Sequence, residues 1–66
     1  MRAFKIDLIN GYSDIYIINN ICMIAVNENI IDITTNRYAK SYEIGKSISK
    51  NEFQRLIELF GDLNIQ

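Results

Sequence analysis

A chain of 66 residues with seven basic and eight acidic side chains, no histidine and one cysteine lacks the usual staples of a small domain. An intrachain disulfide needs a second cysteine, and a structural zinc site needs a fuller set of cysteine and histidine ligands. The net charge of −1 argues against a nucleic-acid binder working through bulk charge and equally against an acidic DNA mimic. At 48% apolar, with 14 isoleucines, the composition excludes a disordered chain and favours strands, because β-branched side chains suit a pleated, packed surface. A single domain of this size buries only about 60% of its unfolded surface, so its stability must come from dense aliphatic packing or self-association.

In chain order, Phe4, Ile6 and Leu8 alternate with Lys5, Asp7 and Ile9, the period-two pattern of a half-buried first strand over residues 3–9. Asn10-Gly11 signals a hairpin. A four-residue loop, pairing Leu8 with Ile15 and Ile6 with Ile17, is preferred over a two-residue one that would oppose Asp7 to Asp14. The second strand runs over 14–18, and Asn19-Asn20 suits a tight turn. The third, over 21–26, is apolar on both faces, which marks a central strand or one whose second face meets another molecule. A turn at Asn27-Glu28-Asn29 leads to a fourth strand over 30–34, and a fifth over 37–44 places Tyr38, Lys40, Tyr42 and Ile44 on one face.

The chain closes on an amphipathic helix over residues 50–60. Ser49 and Glu52 form a capping box, with Ile48 and Phe53 as the hydrophobic staple. Phe53, Leu56, Ile57 and Phe60 follow the i, i+3, i+4, i+7 rule, and Gly61 stands where a left-handed residue ends a helix. The expected architecture is α+β: an antiparallel meander of four or five strands, curled or flat, with the helix packed on one face.

Chemistry is sparse. Cys22 has no basic neighbour to lower its pKa and reads as a buried structural thiol. Asp7 and Asp14 read as solvated carboxylates, and the Asn27 to Asp32 segment lacks the glycine and terminal glutamate of a calcium loop. No phosphate loop or nucleophile elbow is present, so no enzyme, cofactor or metal site is expected. Asn19 and Asn20 interrupt the apolar run from Ile15 to Val26, which at 12 residues is too short for a membrane-spanning helix of about 20. The N-terminus alternates, unlike a signal peptide. A soluble cytoplasmic protein is the expectation, and the abundance of Ile, Asn, Lys and Tyr suggests an AT-rich coding genome.

Five strands about 4.8 Å apart make a sheet twice as wide as one helix of about 10 Å. Apolar residues therefore remain to be covered, with Tyr16, Ile18, Met23, Tyr38 and Tyr42 placed on the uncovered face. This favours a small protein-binding module, a homodimer docking its sheet face or helix edge onto a larger protein. The build, a short antiparallel sheet with one capped helix, resembles the small inhibitors that phages make against host enzymes, which implies an inhibitor or modulator. Residues 37–50 carry four basic groups, Arg37, Lys40, Lys46 and Lys50, against Glu43. With Tyr38 and Tyr42 interleaved they offer an alternative, a single-strand nucleic-acid platform, against the plainer reading of a lysine-protected edge strand. A structural subunit of a larger assembly is the third class.

Overall fold

Five strands and one helix form among the described residues: β1 (Ala3–Asp7), β2 (Ser13–Ile17), β3 (Ile21–Val26), β4 (Ile30–Thr35), β5 (Ala39–Glu43) and α1 (Lys50–Leu63). The structure, a computed structural model, describes residues 2–63. The class is α+β with antiparallel pairing throughout the two sheets, but the meander is broken. A single 3₁₀ turn over Ile18–Asn20 separates a two-stranded sheet, β1-β2, from a three-stranded sheet ordered β3-β4-β5.

The first hairpin is tighter than expected. Ile6 pairs with Asp14 and Phe4 with Tyr16, and the Leu8 N–H donates to Tyr12 O at 2.8 Å, leaving Ile9-Asn10-Gly11 as the loop. Gly11 takes φ +94°, and the Tyr12 N–H donates to Asn10 Oδ1 at 2.9 Å, an Asx turn that a longer loop would forgo. The register turns Phe4, Ile6, Asp14 and Tyr16 to one side. It resolves the Asp7–Asp14 conflict differently, since Asp7 faces Ser13, whose hydroxyl donates to it at 3.0 Å.

β3 is not the central strand. β4 is, pairing Ile24 with Ile33 on one side and Tyr42 with Ile31 on the other, and β3 lies at the margin with an irregularity between Ile21 and Met23. The core joins both sheets and the helix: Phe4, Ile6 and Tyr16 from the hairpin, Ile31, Ile33 and Tyr42 from the second sheet, then Ile48, Leu56 and Phe60. Phe4 stacks on Tyr16 with centroids 5.6 Å apart and meets Phe60 edge-on at 5.5 Å.

The helix begins as its cap dictates, the Glu52 N–H donating to Ser49 Oγ at 3.1 Å, but it does not stop at Gly61. It runs on to Leu63, which packs against the core. A helical glycine costs only about 1 kcal/mol relative to alanine, and another apolar contact offsets it. The capping box is half made, because the Glu52 carboxylate turns away from its own cap toward β1.

Candidate protein-binding surface

Tyr16 and Tyr42, placed by sequence on an uncovered face, are in the interior at 2% and 0% exposure. The β1-β2 register aims Tyr16 inward beside Phe4, and Tyr42 sits opposite the buried Ile31. Their hydroxyls make such burial possible: Tyr16 Oη lies 2.6 Å from Tyr42 Oη, which donates to Asp14 Oδ2 at 2.6 Å. Lys40 Nζ reaches the same oxygen at 2.6 Å. The four side chains span the opening between β2 and β5, where no strand pairing joins the sheets. Burial pushes the Tyr16 phenol up to about 12, and burial with donation to Asp14 raises Tyr42 as well. Burial alone would raise Asp14, but the bonds from Lys40 and Tyr42 outweigh it and hold the carboxyl below its ordinary value.

A second buried polar group escaped the sequence reading. Glu52 is 8% exposed, and its spacing to Leu56 and Phe60, one helical turn each, was the signal that it lies on the core stripe. Its Oε2 accepts from the Asp7 N–H at 2.8 Å, and Arg55 grips both its oxygens, Nε to Oε1 at 2.8 Å and Nη2 to Oε2 at 2.6 Å. The same Nη2 donates to Lys5 O at 2.6 Å. The bonds of Leu8 and Ile18 to Tyr12 and Arg2 show the even residues of β1 turned to β2, so Lys5 and Asp7 present their backbone to the outer edge. There a carboxylate and a guanidinium take the place of a neighbouring strand, and the Ile9 N–H continues the seal by donating to Ser47 O at 2.9 Å. The Arg55 hydrogen bonds lower the Glu52 pKa, against burial and with help from the Asp7 N–H.

Both Asp14 and Glu52 are thus held below their unfolded values. Stability from them is fully present above the ordinary carboxylate range near pH 4 and is lost as pH falls through their lower folded values. The thermal midpoint is expected to stay level above about pH 5 and to drop steadily below about pH 4. A scan by circular dichroism that shows no drop in acid would contradict these two bond sets.

The remaining edges differ from β1. The Asn27 N–H donates to Ile30 O at 2.8 Å, which with the register makes Ala25 and Asp32 a bonded pair and turns the N–H and C=O groups of Ile24 and Val26 away from β4. Among the described residues nothing bonds them. The flanking side chains are apolar, Met23 at 53% and Val26 at 46% exposure, and no charged residue occurs between Asp14 and Glu28. Cys22, expected to be buried, is exposed at the irregularity of this same edge.

Of the other predicted positions, Ile18 is half-buried against the core and Tyr38 is exposed, with its ring 6.5 Å from that of Tyr16. The basic set does not form one platform. Lys40 is committed to Asp14, and Lys46 lies 3.7 Å from Glu43. Arg37 precedes β5, whereas Lys46 and Lys50 follow it. Arg37 and Tyr38 line a cleft of about 120 Å³ with Ile15 and Ile17, well below the roughly 300 Å³ at which ligand pockets begin. Among the described residues no helix is long and apolar enough to cross a membrane. No family model matches the chain, no curated protein matches its sequence, and no solved structure matches its fold.

Proposed function

We propose that the chain is a small non-enzymatic protein-binding module, an inhibitor or modulator of a larger protein, that takes an extended segment of its partner onto the edge of β3. The observation that carries this reading is the open, uncharged, apolar edge at Ile24 and Val26. It contrasts with β1, whose outer edge is sealed by Glu52 and Arg55. Unsealed edges of this kind are templates for another strand, and soluble proteins ordinarily blunt them with lysine, proline or a covering element. Main-chain bonds would supply affinity, and the alternating side chains around Met23 and Val26 would supply selectivity. The tyrosine platform anticipated from sequence has no part in this reading, because Tyr16 and Tyr42 are interior.

Val26→Pro tests it. The Val26 N–H points outward, so proline removes an edge donor and leaves the β3-β4 ladder bonds in place. Capture of a partner from lysate by the wild-type chain is expected to fall at least about tenfold with the variant, the loss of roughly 1.4 kcal/mol or more, while circular dichroism stays unchanged. Undiminished capture by the folded variant would remove β3 as the docking site.

A further inference from the structure

We infer that, until a partner's segment displaces it, the β3 edge is occupied by a second copy of this chain, paired antiparallel across a two-fold axis at Ala25. The inference rests on strand addition at β3 and names the strand that is added. It follows from which groups the edge presents. Only Ile24 and Val26 offer outward N–H and C=O groups on the regular part of β3. A two-fold pairing that sets Ile24 against Val26 of the second copy makes both residues bonded pairs, each exchanging two N–H···O bonds. Ala25 then meets Ala25 of the second copy at the axis, where the small side chain permits close approach.

Charge supports the same register. Glu28 falls opposite Cys22 of the second copy and Met23 opposite Asn27, so no like charges face one another. Apart from Glu28 at the end of each, the opposed segments are uncharged, and a strongly charged partner strand finds little complementary here. Ile24 and Val26 project to the same side as Ile33 and Ile31, their cross-strand partners. The pairing therefore places two half-open cores side by side and joins both three-stranded sheets into one of six strands. Burial of this kind suits a chain whose core, among the described residues, holds nine buried apolar side chains, and two-fold pairing is the commonest closed assembly. The edges of β2 and β5 are weaker candidates, since Asp14, Lys40 and the two tyrosines bridge the space between them.

The register makes a charge-reversal test available. Ala25 pairs with Asp32 in its own chain, so Ala25→Lys adds a favourable cross-strand pair to the monomer and sets two lysines against each other at the axis. Sedimentation velocity over the micromolar to millimolar range is expected to show the wild-type chain moving from 7.7 kDa to twice that mass. Ala25→Lys should associate at least about tenfold more weakly with its circular dichroism intact. Mixing Ala25→Lys with Ala25→Glu, each first checked to be folded, should restore the dimer. Binding of a synthetic peptide spanning residues 20–28 to the monomeric Ala25→Lys chain, followed by fluorescence anisotropy, reads the edge independently of the second copy.

A wild-type chain that remains monomeric while the Ala25→Lys chain binds the peptide would overturn the dimer and leave strand addition standing. Failure of both would overturn self-pairing, and the Val26→Pro capture then decides strand addition by a larger partner. Dimers unaffected by Ala25→Lys, or open-ended species growing with concentration, would overturn the two-fold pairing; the open-ended species would favour a structural subunit in its place.

Discussion

Tyr42→Ala is expected to destabilise the fold by about 3 to 5 kcal/mol, the range for removing a large buried ring. Chains of this length have about 3 to 10 kcal/mol in total, so the variant should be largely unfolded near room temperature. Tyr42→Phe keeps the ring and removes only the hydroxyl between Tyr16 and Asp14. It is expected to cost about 1 to 3 kcal/mol, because the Tyr16 hydroxyl is then buried without its partner. Urea titration of both variants measures the difference, and a silent Tyr42→Phe would mean that water replaces the lost bond. The same network predicts an alkaline limit. Tyr16 and Tyr42 hold their protons above the ordinary tyrosine value near 10. Their contribution is fully present below pH 10 and is lost as pH rises through the folded values, about 12 for Tyr16. Tyrosinate absorbance from these two rings should therefore appear together with the loss of far-ultraviolet ellipticity.

Glu52→Ala is the second large effect. It leaves the Asp7 N–H and two Arg55 donors without their acceptor, and hydrogen bonds to a charged group contribute about 1.5 to 3 kcal/mol. Arg55 is half exposed and recovers part of its loss from water, so about 2 to 3 kcal/mol is expected. At this chain length that lowers the thermal midpoint by roughly 10 to 20 °C. Glu58→Ala, on the exposed side of the same helix, should move the midpoint by no more than a few degrees. The helix capping bond to Ser49 uses the Glu52 backbone and survives the substitution. The loss therefore measures the strand-edge contact, not the helix start. Amide exchange at Asp7 should accelerate selectively in this variant.

Much of this fold was legible in local pattern. The alternation around Phe4 and Ile6 placed the first strand, Asn10-Gly11 placed the hairpin, and Ser49 placed the helix start to the residue. What eluded the sequence reading depended on partners far along the chain. Apolar residues on both faces of β3 suggested a central strand or one whose second face meets another molecule, and the first of these does not hold, because β4 lies between β3 and β5. The alternation of Tyr38, Lys40 and Tyr42 identified a shared face without saying which face was inward, since a phenol is buried only where its hydroxyl finds an acceptor. That acceptor, Asp14, lies 28 residues away. The loop length in the first hairpin turned on the Asn10 side chain, a contact within two residues that an argument from Asp7 and Asp14 repulsion overlooked. The face proposed from sequence divides in the structure: Tyr16 and Tyr42 are interior and Met23 and Tyr38 exposed, and large apolar side chains are also exposed at Ile9, Tyr12, Ile15 and Val26.

The seal on β1 also orders events during synthesis. Its two side-chain bonds connect residues 45 and 50 positions apart, so the first hairpin leaves the ribosome long before the residues that close its outer edge. While the last turns of α1 are still inside the exit tunnel, both margins of that hairpin are bare. The outer edge of β1 therefore acquires its protection only once Glu52 and Arg55 have left the tunnel, and crowded polysomes are where these early strands are most exposed to each other.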